Sequence, residues 1–421
     1  MANLGGTYVR WVWCRAVLHR GWWLVTSVYL VVDARLPASQ LVLIGVGQAV
    51  VALVFEVPAG VLADHVSRKW SLVVSHVLMG GAMLATGLAD GFLPLLATQM
   101  VWGLAWTFAS GADVAWVSDE LGDPAYARTV LIRAEQAQLL GTVAGLLSVG
   151  GLAWLVGRGP AMVLAGAVMV LLGLYVIAGF PERRFVPAPS AQQWPILKGV
   201  LDSRTLLAAF GATFLVQGAA DAFGRLYPLQ LLALGPAVGP VVWLTGLGVL
   251  MCLGGAAALR LAQTRISGQA RPAPAPIGGD DTMPPAPTGG ESTTAAGPIG
   301  GEGAVRNGYV FACVIAVVGV AGLALAPGVV GGSLAVLLAA GALPLTRSFG
   351  TIWVNNETVG AVRATVHSLL AQSEYAGKIA CGLTIALFAE RTALAACTLL
   401  ILAGAVIARL SHRRRLPRQR P

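Results

Sequence analysis

The chain has 421 residues, 56% of them hydrophobic and only 11% charged, and its mean hydropathy is +0.75. That balance excludes a soluble enzyme of this size and points to an all-α protein that crosses a membrane many times. The net charge of +9 would suit a nucleic-acid binder only if it were gathered on a soluble face, and the order of the elements below argues against that.

Residues 11–32 form the first predicted helix, apolar and aromatic but interrupted by Arg15, His19 and Arg20. No small-residue cleavage site follows it, so it reads as a retained span and not a signal peptide. Trp11, Arg15, Trp22, Thr26 and Tyr29 recur at helical spacing and share a face. Arg15 sits near enough to one end to snorkel, whereas Arg20 falls near mid-bilayer and needs a carboxylate or water. Residues 33–39 form a loop and 40–59 the second helix. Next comes 60–69, GVLADHVSRK, with Asp64, His65, Arg68 and Lys69 in ten residues, while the apolar flanks carry only Glu56. Hydrocarbon excludes charge, so this is a tight turn at the water boundary. Gly60 suits close helix approach, and Asp64 can cap the next helix or pair with Arg68.

Residues 70–89 and 95–116 are the third and fourth spans, the fourth running into Asp113, Asp119 and Glu120. The fifth, 134–156, holds Gly141, Gly145, Gly150 and Gly151, a small-residue spacing for close helix contact. The sixth is 160–180. Residues 1–180 therefore read as one six-helix half, and 181–204, with several prolines and basic residues, as a cytoplasmic linker. The second half is 205–410, with spans at 205–227, 240–261, 309–326, 332–354, 365–389 and 392–410. Asp221 and Arg225 lie four apart, acid first, the favourable order for an intrahelical pair. Residues 263–305 are rich in Pro, Gly, Ala and Thr and read as a disordered cytoplasmic loop.

Glu374 and Lys378 are four apart halfway through the eleventh span, a depth at which ionisable groups imply a water-filled cavity. Two readings stand side by side: a carboxylate that cycles a proton with Lys378 or Arg20 as its partner, or a permanent ion pair. Cys14, Cys252, Cys313, Cys381 and Cys397 are scattered singly and suit small hydrophobes, not a metal site or disulfides. His19, His65, His76, His367 and His412 have no metal-ligand spacing, and no glycine motif for nucleotides occurs.

With about twelve spans, about twenty Lys and Arg fall on one side, three (Arg35, Arg158, Arg391) on the other, and about five within helices. This positive-inside asymmetry puts both termini in the cytoplasm. The basic tail 411–421 is then an anchor near anionic lipid, not a nucleic-acid arm. Arginine far outnumbers lysine, which suggests a GC-rich bacterial genome and a bacterial inner membrane.

The turn at 60–69 resembles the signature loop of the major facilitator superfamily, Gly-x-Leu-x-Asp-x-x-Gly-Arg-Arg/Lys, matched by Gly60, Leu62, Asp64, Arg68 and Lys69, with Ser67 where glycine is usual. The preceding FEVPA resembles the run that many bacterial members place before this loop, the GADVAWVSDE that ends the fourth span is similar to the inner end of that helix in many facilitators, and the RATVHS at 363–368 is similar to one bacterial efflux-like branch. The resemblance implies two six-helix halves rocking about a central cavity, and a latch between Arg68 and Asp113 or Asp119. It also implies proton-coupled export of a small organic compound by a monomer with no cofactor. Drug/proton antiporters carry Gly-x-x-x-Gly-Pro in the fifth helix; here Gly141 and Gly145 match but Leu146 replaces the proline. The arginine of their fourth helix is missing too. Uptake in the opposite direction is the alternative within transport, and a non-transporting membrane sensor or enzyme the alternative outside it.

Overall fold

The computed structural model describes residues 4–186, 202–236, 238–267, 302–358, 363–388 and 390–411. Its helices are α1 Leu4–Val32, α2 Ala38–His65, α3 Arg68–Leu88, α4 Phe92–Ala109, α5 Ala112–Leu121, α6 Pro124–Val156, α7 Arg158–Gly179, α8 Arg204–Ala233, α9 Pro240–Ser267, α10 Glu302–Leu325, α11 Val329–Glu357, α12 Arg363–Ala386 and α13 Glu390–Leu410. α4 and α5 are two pieces of one broken helix: Gly111 takes the left-handed conformation at φ +77° and turns the chain between them. Helices outrun the apolar windows because capping groups, not lipid, set their ends. Asp123 accepts a hydrogen bond from Ala125 N–H at 2.9 Å with Pro124 at the first helical position, so α6 starts ten residues before its apolar run.

Nine of the described helices are long and apolar enough to cross a membrane. α1 and α12 are not among them because they carry Arg15 and Arg20, and Glu374 and Lys378, respectively. The residues from 268 to 301, most of the loop expected at 263–305, lie outside the described residues, as do 187–201 of the linker and 412–421 of the tail.

The packing repeats itself along the chain. In the first half α1 packs on α6, α2 on α4, and α3 on α7; in the second, α8 packs on α12, α9 on α11, and α10 on α13. The halves meet through α2 against α12 and α6 against α9, the same pairing with the partners exchanged. Lipid solvates an apolar side chain as well as another helix does, so contact must come from close approach. A Cβ on Gly145 would collide with the Val17 backbone carbonyl of α1, and one on Gly377 with the Phe214 carbonyl of α8. Gly60 makes no such approach. Open space surrounds the position where its Cβ would be, because α2 makes its tight contacts in its first half, where Gly45 and Gly47 lie under Arg225 and Leu96.

Among the described residues, the close helix approaches at Gly382 and Gly150 that join the halves lie at one end of the bundle, away from the turn at 60–69. Gly382 near the end of α12 lies against Val46 and Val42 near the start of α2, and Gly150 near the end of α6 lies against Thr245 near the start of α9.

Substituting valine at Gly145 should cost about 1–3 kcal/mol, since backbone cannot move aside for the new methyls. The same change at Gly151, around which a Cβ meets nothing within 4 Å, should be nearly silent. Thermal unfolding of the two detergent-solubilised variants checks the contrast, and equal losses would sink it.

Candidate functional site

Two charged constellations stand out, one at the turn and one between the halves. At the turn, Ser67 is the N-cap of α3, its hydroxyl accepting from Trp70 N–H at 3.0 Å. Serine in the usual glycine position thus starts the helix, and Asp64 is left to pair with Arg68 at 3.5 Å and does not cap. Arg68 also pairs with Asp119 on α5. Asp113, the other expected partner, instead binds Arg15 at 2.9 Å, with the Arg15 guanidinium 4.4 Å from the Trp11 ring. Arg15, expected to snorkel, is thus engaged by a carboxylate of the same half.

The start of the expected linker closes over this turn. Glu182 accepts from Ser67 Oγ and from Lys69 N–H, Glu120 accepts the N–H groups of Arg183 and Arg184, and Trp116 Nε1–H donates to Pro181 O. The Lys69 ammonium donates to the Ile177 carbonyl at 2.8 Å. All of these groups belong to the first half and its linker. A groove of about 780 Å³ opens beside Arg68, Asp119, Arg128 and Arg184 at this end.

The second constellation is a cavity of about 300 Å³ at mid-span, lined from both halves. The first half supplies an aromatic wall. His19 stacks on Trp102 with ring centroids 5.2 Å apart and planes 12° from parallel, Trp106 follows one turn along α4, and Trp23 tilts against Trp102 at 5.2 Å. His19 Nε2 and Trp102 Nε1 have no hydrogen-bond partner. The second half supplies charge: Asp221 and Arg225 from α8, Arg347 from α11, Glu374 and Lys378 from α12.

The pairing within the cavity differs from the spacing argument. Glu374, 8% exposed, pairs with Arg347 at 3.0 Å. Lys378, one turn further on, lies 5.3 Å from the Tyr375 ring centroid. Arg347 is 64% exposed and lines the cavity. Asp221 and Arg225 do pair, at 3.0 Å, but Arg225 also donates to Gln48 Oε1 of the other half at 2.5 Å. From Gln48 the chain continues to Gln99 at 3.1 Å and to Thr86 at 3.1 Å. This pair therefore belongs to a polar bridge between halves, seated where Gly45 has no side chain.

Arg20 lines the cavity, and among the described residues no carboxylate lies within ion-pair distance of it. Tyr29 does not reach the cavity: its hydroxyl donates to the Ala89 carbonyl beyond α3 at 3.0 Å. The face it shares with Trp11, Trp22 and Thr26 is buried against neighbouring helices, with Trp11 Nε1–H on His76 and Thr26 on Met162. The apolar stripe goes to packing, and the face bearing His19, Arg20 and Trp23 goes to the cavity.

Arg347, Gln48 and the cavity tryptophans escaped the sequence reading. Arg347 was legible as a lone arginine inside the apolar run 332–354. Gln48 and the tryptophans have no signal of their own, because an aromatic in a span faces lipid, core or cavity equally well. Glu56 accepts hydrogen bonds from Ser110 at 2.9 Å and from Tyr375 at 3.5 Å, joining α2 to α12 through hydroxyls. It has no cation within ion-pair distance among the described residues.

No family model and no curated sequence matches the chain. Solved structures do. The nucleoside transporter NupG is 12% identical over 98% of this chain and 100% of its own, at a TM-score of 0.73. A bacterial homolog of the human lysosomal transporter Spinster, in an inward-facing and occupied conformation, is 14% identical over 98% of this chain and 97% of its own, at a TM-score of 0.67. At such identities the likeness establishes the fold, which is that of the major facilitator transporters, and with its apolar helices the chain is a multi-pass membrane protein.

Removing Asp221 alone should strand Arg225 in a poorly solvated site and destabilise the protein by about 3 kcal/mol. Removing both charges, as Asp221→Asn with Arg225→Gln, should cost less than half of that. Melting temperatures of the single and double variants test this, and additive losses would show that the two side chains do not act as a pair.

Proposed function

We propose that the chain is a secondary transporter working by alternating access, exporting a small organic compound across a bacterial inner membrane in exchange for protons. The observation that carries the reading is the mid-span cavity, lined by ionisable side chains from two halves that repeat one packing scheme. A fold that held its halves permanently together would have no reason to keep exposed charge at that depth.

Direction and mechanism follow from the same features. The excess of Lys and Arg at the end carrying the turn supports cytoplasmic termini. The close helix approaches between the halves lie at the opposite end, so the cavity is accessible from the cytoplasm in this conformation. Arg68 with Asp119 and Asp64, Lys69 on the Ile177 carbonyl, and Glu182 on the turn keep α2, α3 and α5 moving as one body. Glu374 is the proton carrier we favour. Ionised, it holds Arg347; protonated, it releases the guanidinium, so that the proton changes which contacts the cavity offers the substrate. Arg347 takes the part that spacing alone gave to Lys378 or Arg20. A proton-linked uptake permease would use the same site, and nothing in helix number distinguishes the two. No cofactor enters either scheme, and the monomer contains the whole pathway.

In cells lacking the protein the exported compound should accumulate, and restoring the protein should remove it in a way that a protonophore abolishes. Glu374→Gln should cut proton-driven efflux at least tenfold while substrate-for-substrate exchange continues, since binding and rocking survive but the proton site is gone. Efflux unchanged by Glu374→Gln would remove this residue from the coupling step.

A further inference from the structure

We infer that the cavity selects organic anions bearing a flat aromatic ring; the substrate class rests on the transport reading above, and the binding preference stands on the cavity itself. Four cations line it, Arg20, Arg225, Arg347 and Lys378, against two carboxylates, Asp221 and Glu374. Both carboxylates are already engaged, by Arg225 and Arg347 respectively. Glu56, behind Tyr375, is held by hydroxyls, and counting it still leaves the site positive.

The two lining cations with no carboxylate within ion-pair distance among the described residues, Arg20 and Lys378, come from opposite halves, α1 and α12; Lys378 still feels Asp221, which Arg225 already holds. A cation at mid-span with no carboxylate paired to it is among the most unfavourable groups a membrane protein can carry, and it persists where something regularly neutralises it. A carboxylate, sulfonate or phosphate on the ligand does so from between the halves. A cationic ligand would meet the same pair as repulsion. The geometry of the other wall selects the rest of the molecule. His19, Trp23, Trp102 and Trp106 present rings within 5.2–6.5 Å of one another, a surface on which a planar ring stacks and a flexible aliphatic chain gains less. A volume of about 300 Å³ suits one or two fused rings with a short acidic group.

The test uses one ring with three charges: 1-naphthoate, 1-naphthamide and 1-naphthylmethylamine, in equilibrium dialysis against the purified full chain. Naphthoate should bind at least tenfold more tightly than the other two, the size of effect expected when a charge-assisted contact is lost. Arg20→Gln with Lys378→Gln should remove that preference and leave naphthamide unchanged, whereas Arg20→Lys with Lys378→Arg should retain it. The wild-type ranking decides even if the neutralised variant fails to fold: equal or tighter binding of the amide or the amine overturns the inference, as does binding of none of the three. Flux of the same probes in proteoliposomes separates the two levels. Movement of the amine with naphthoate excluded overturns the anion class and leaves transport standing. Naphthoate preferred in dialysis, with no probe moved in the proteoliposomes, supports the binding preference and sinks the transport reading.

Discussion

Hydrocarbon solvates neither a charge nor an unpaired backbone group, and the arrangement of this protein follows from that constraint. Helices satisfy the backbone. Charges are left with two places to go, the water-facing ends or a cavity that the helices enclose. The turn at Asp64, Arg68 and Lys69 takes the first course, and Arg20, Arg225, Arg347, Glu374 and Lys378 take the second. The two helices too charged to qualify as spans by apolarity, α1 and α12, are for that reason the ones that bring Arg20, Glu374 and Lys378 to the centre.

The same constraint explains how the halves are joined. Small residues let α2 approach α12, and α6 approach α9, at one end of the bundle, and just below that contact Arg225 reaches across to Gln48. A polar bridge at this depth is strong because both partners are largely buried, and it is reversible because each side keeps a partner within its own half, Asp221 for Arg225 and Gln99 for Gln48. Separation of the halves there would not orphan either group. The turn end is built differently. The ion pairs of Arg68 with Asp64 and Asp119 lie within the first half, which suits a rigid piece.

Sequence reading went furthest where one helix is its own context. The spans, the turn and the Asp221–Arg225 pair are local, and periodicity or charge exclusion exposes them; the break at Gly111 inside the fourth span was not exposed that way. It went astray where a residue's role depends on what lies across from it. Tyr29 belongs to a helical stripe, but that stripe packs inward and its hydroxyl serves the Ala89 carbonyl. Gly60 has the composition of a contact point but faces open space. Glu374 has Lys378 one turn away on its own helix, yet Arg347, arriving from α11, takes it, since a planar guanidinium from a facing helix can meet a carboxylate squarely while a neighbour on the same helix must curl back.

What the sequence determined by itself was the solvent: composition and the spacing of charge put most side chains in lipid, set the number and order of helices, and located the one turn dense in charge. What only the tertiary structure decided was which face of each helix looks inward and which charge meets which. Lipid exerts no pull toward any particular neighbour, so those choices fall to the fit between facing helices, and that fit is a property of pairs that no single helix carries in its own residues.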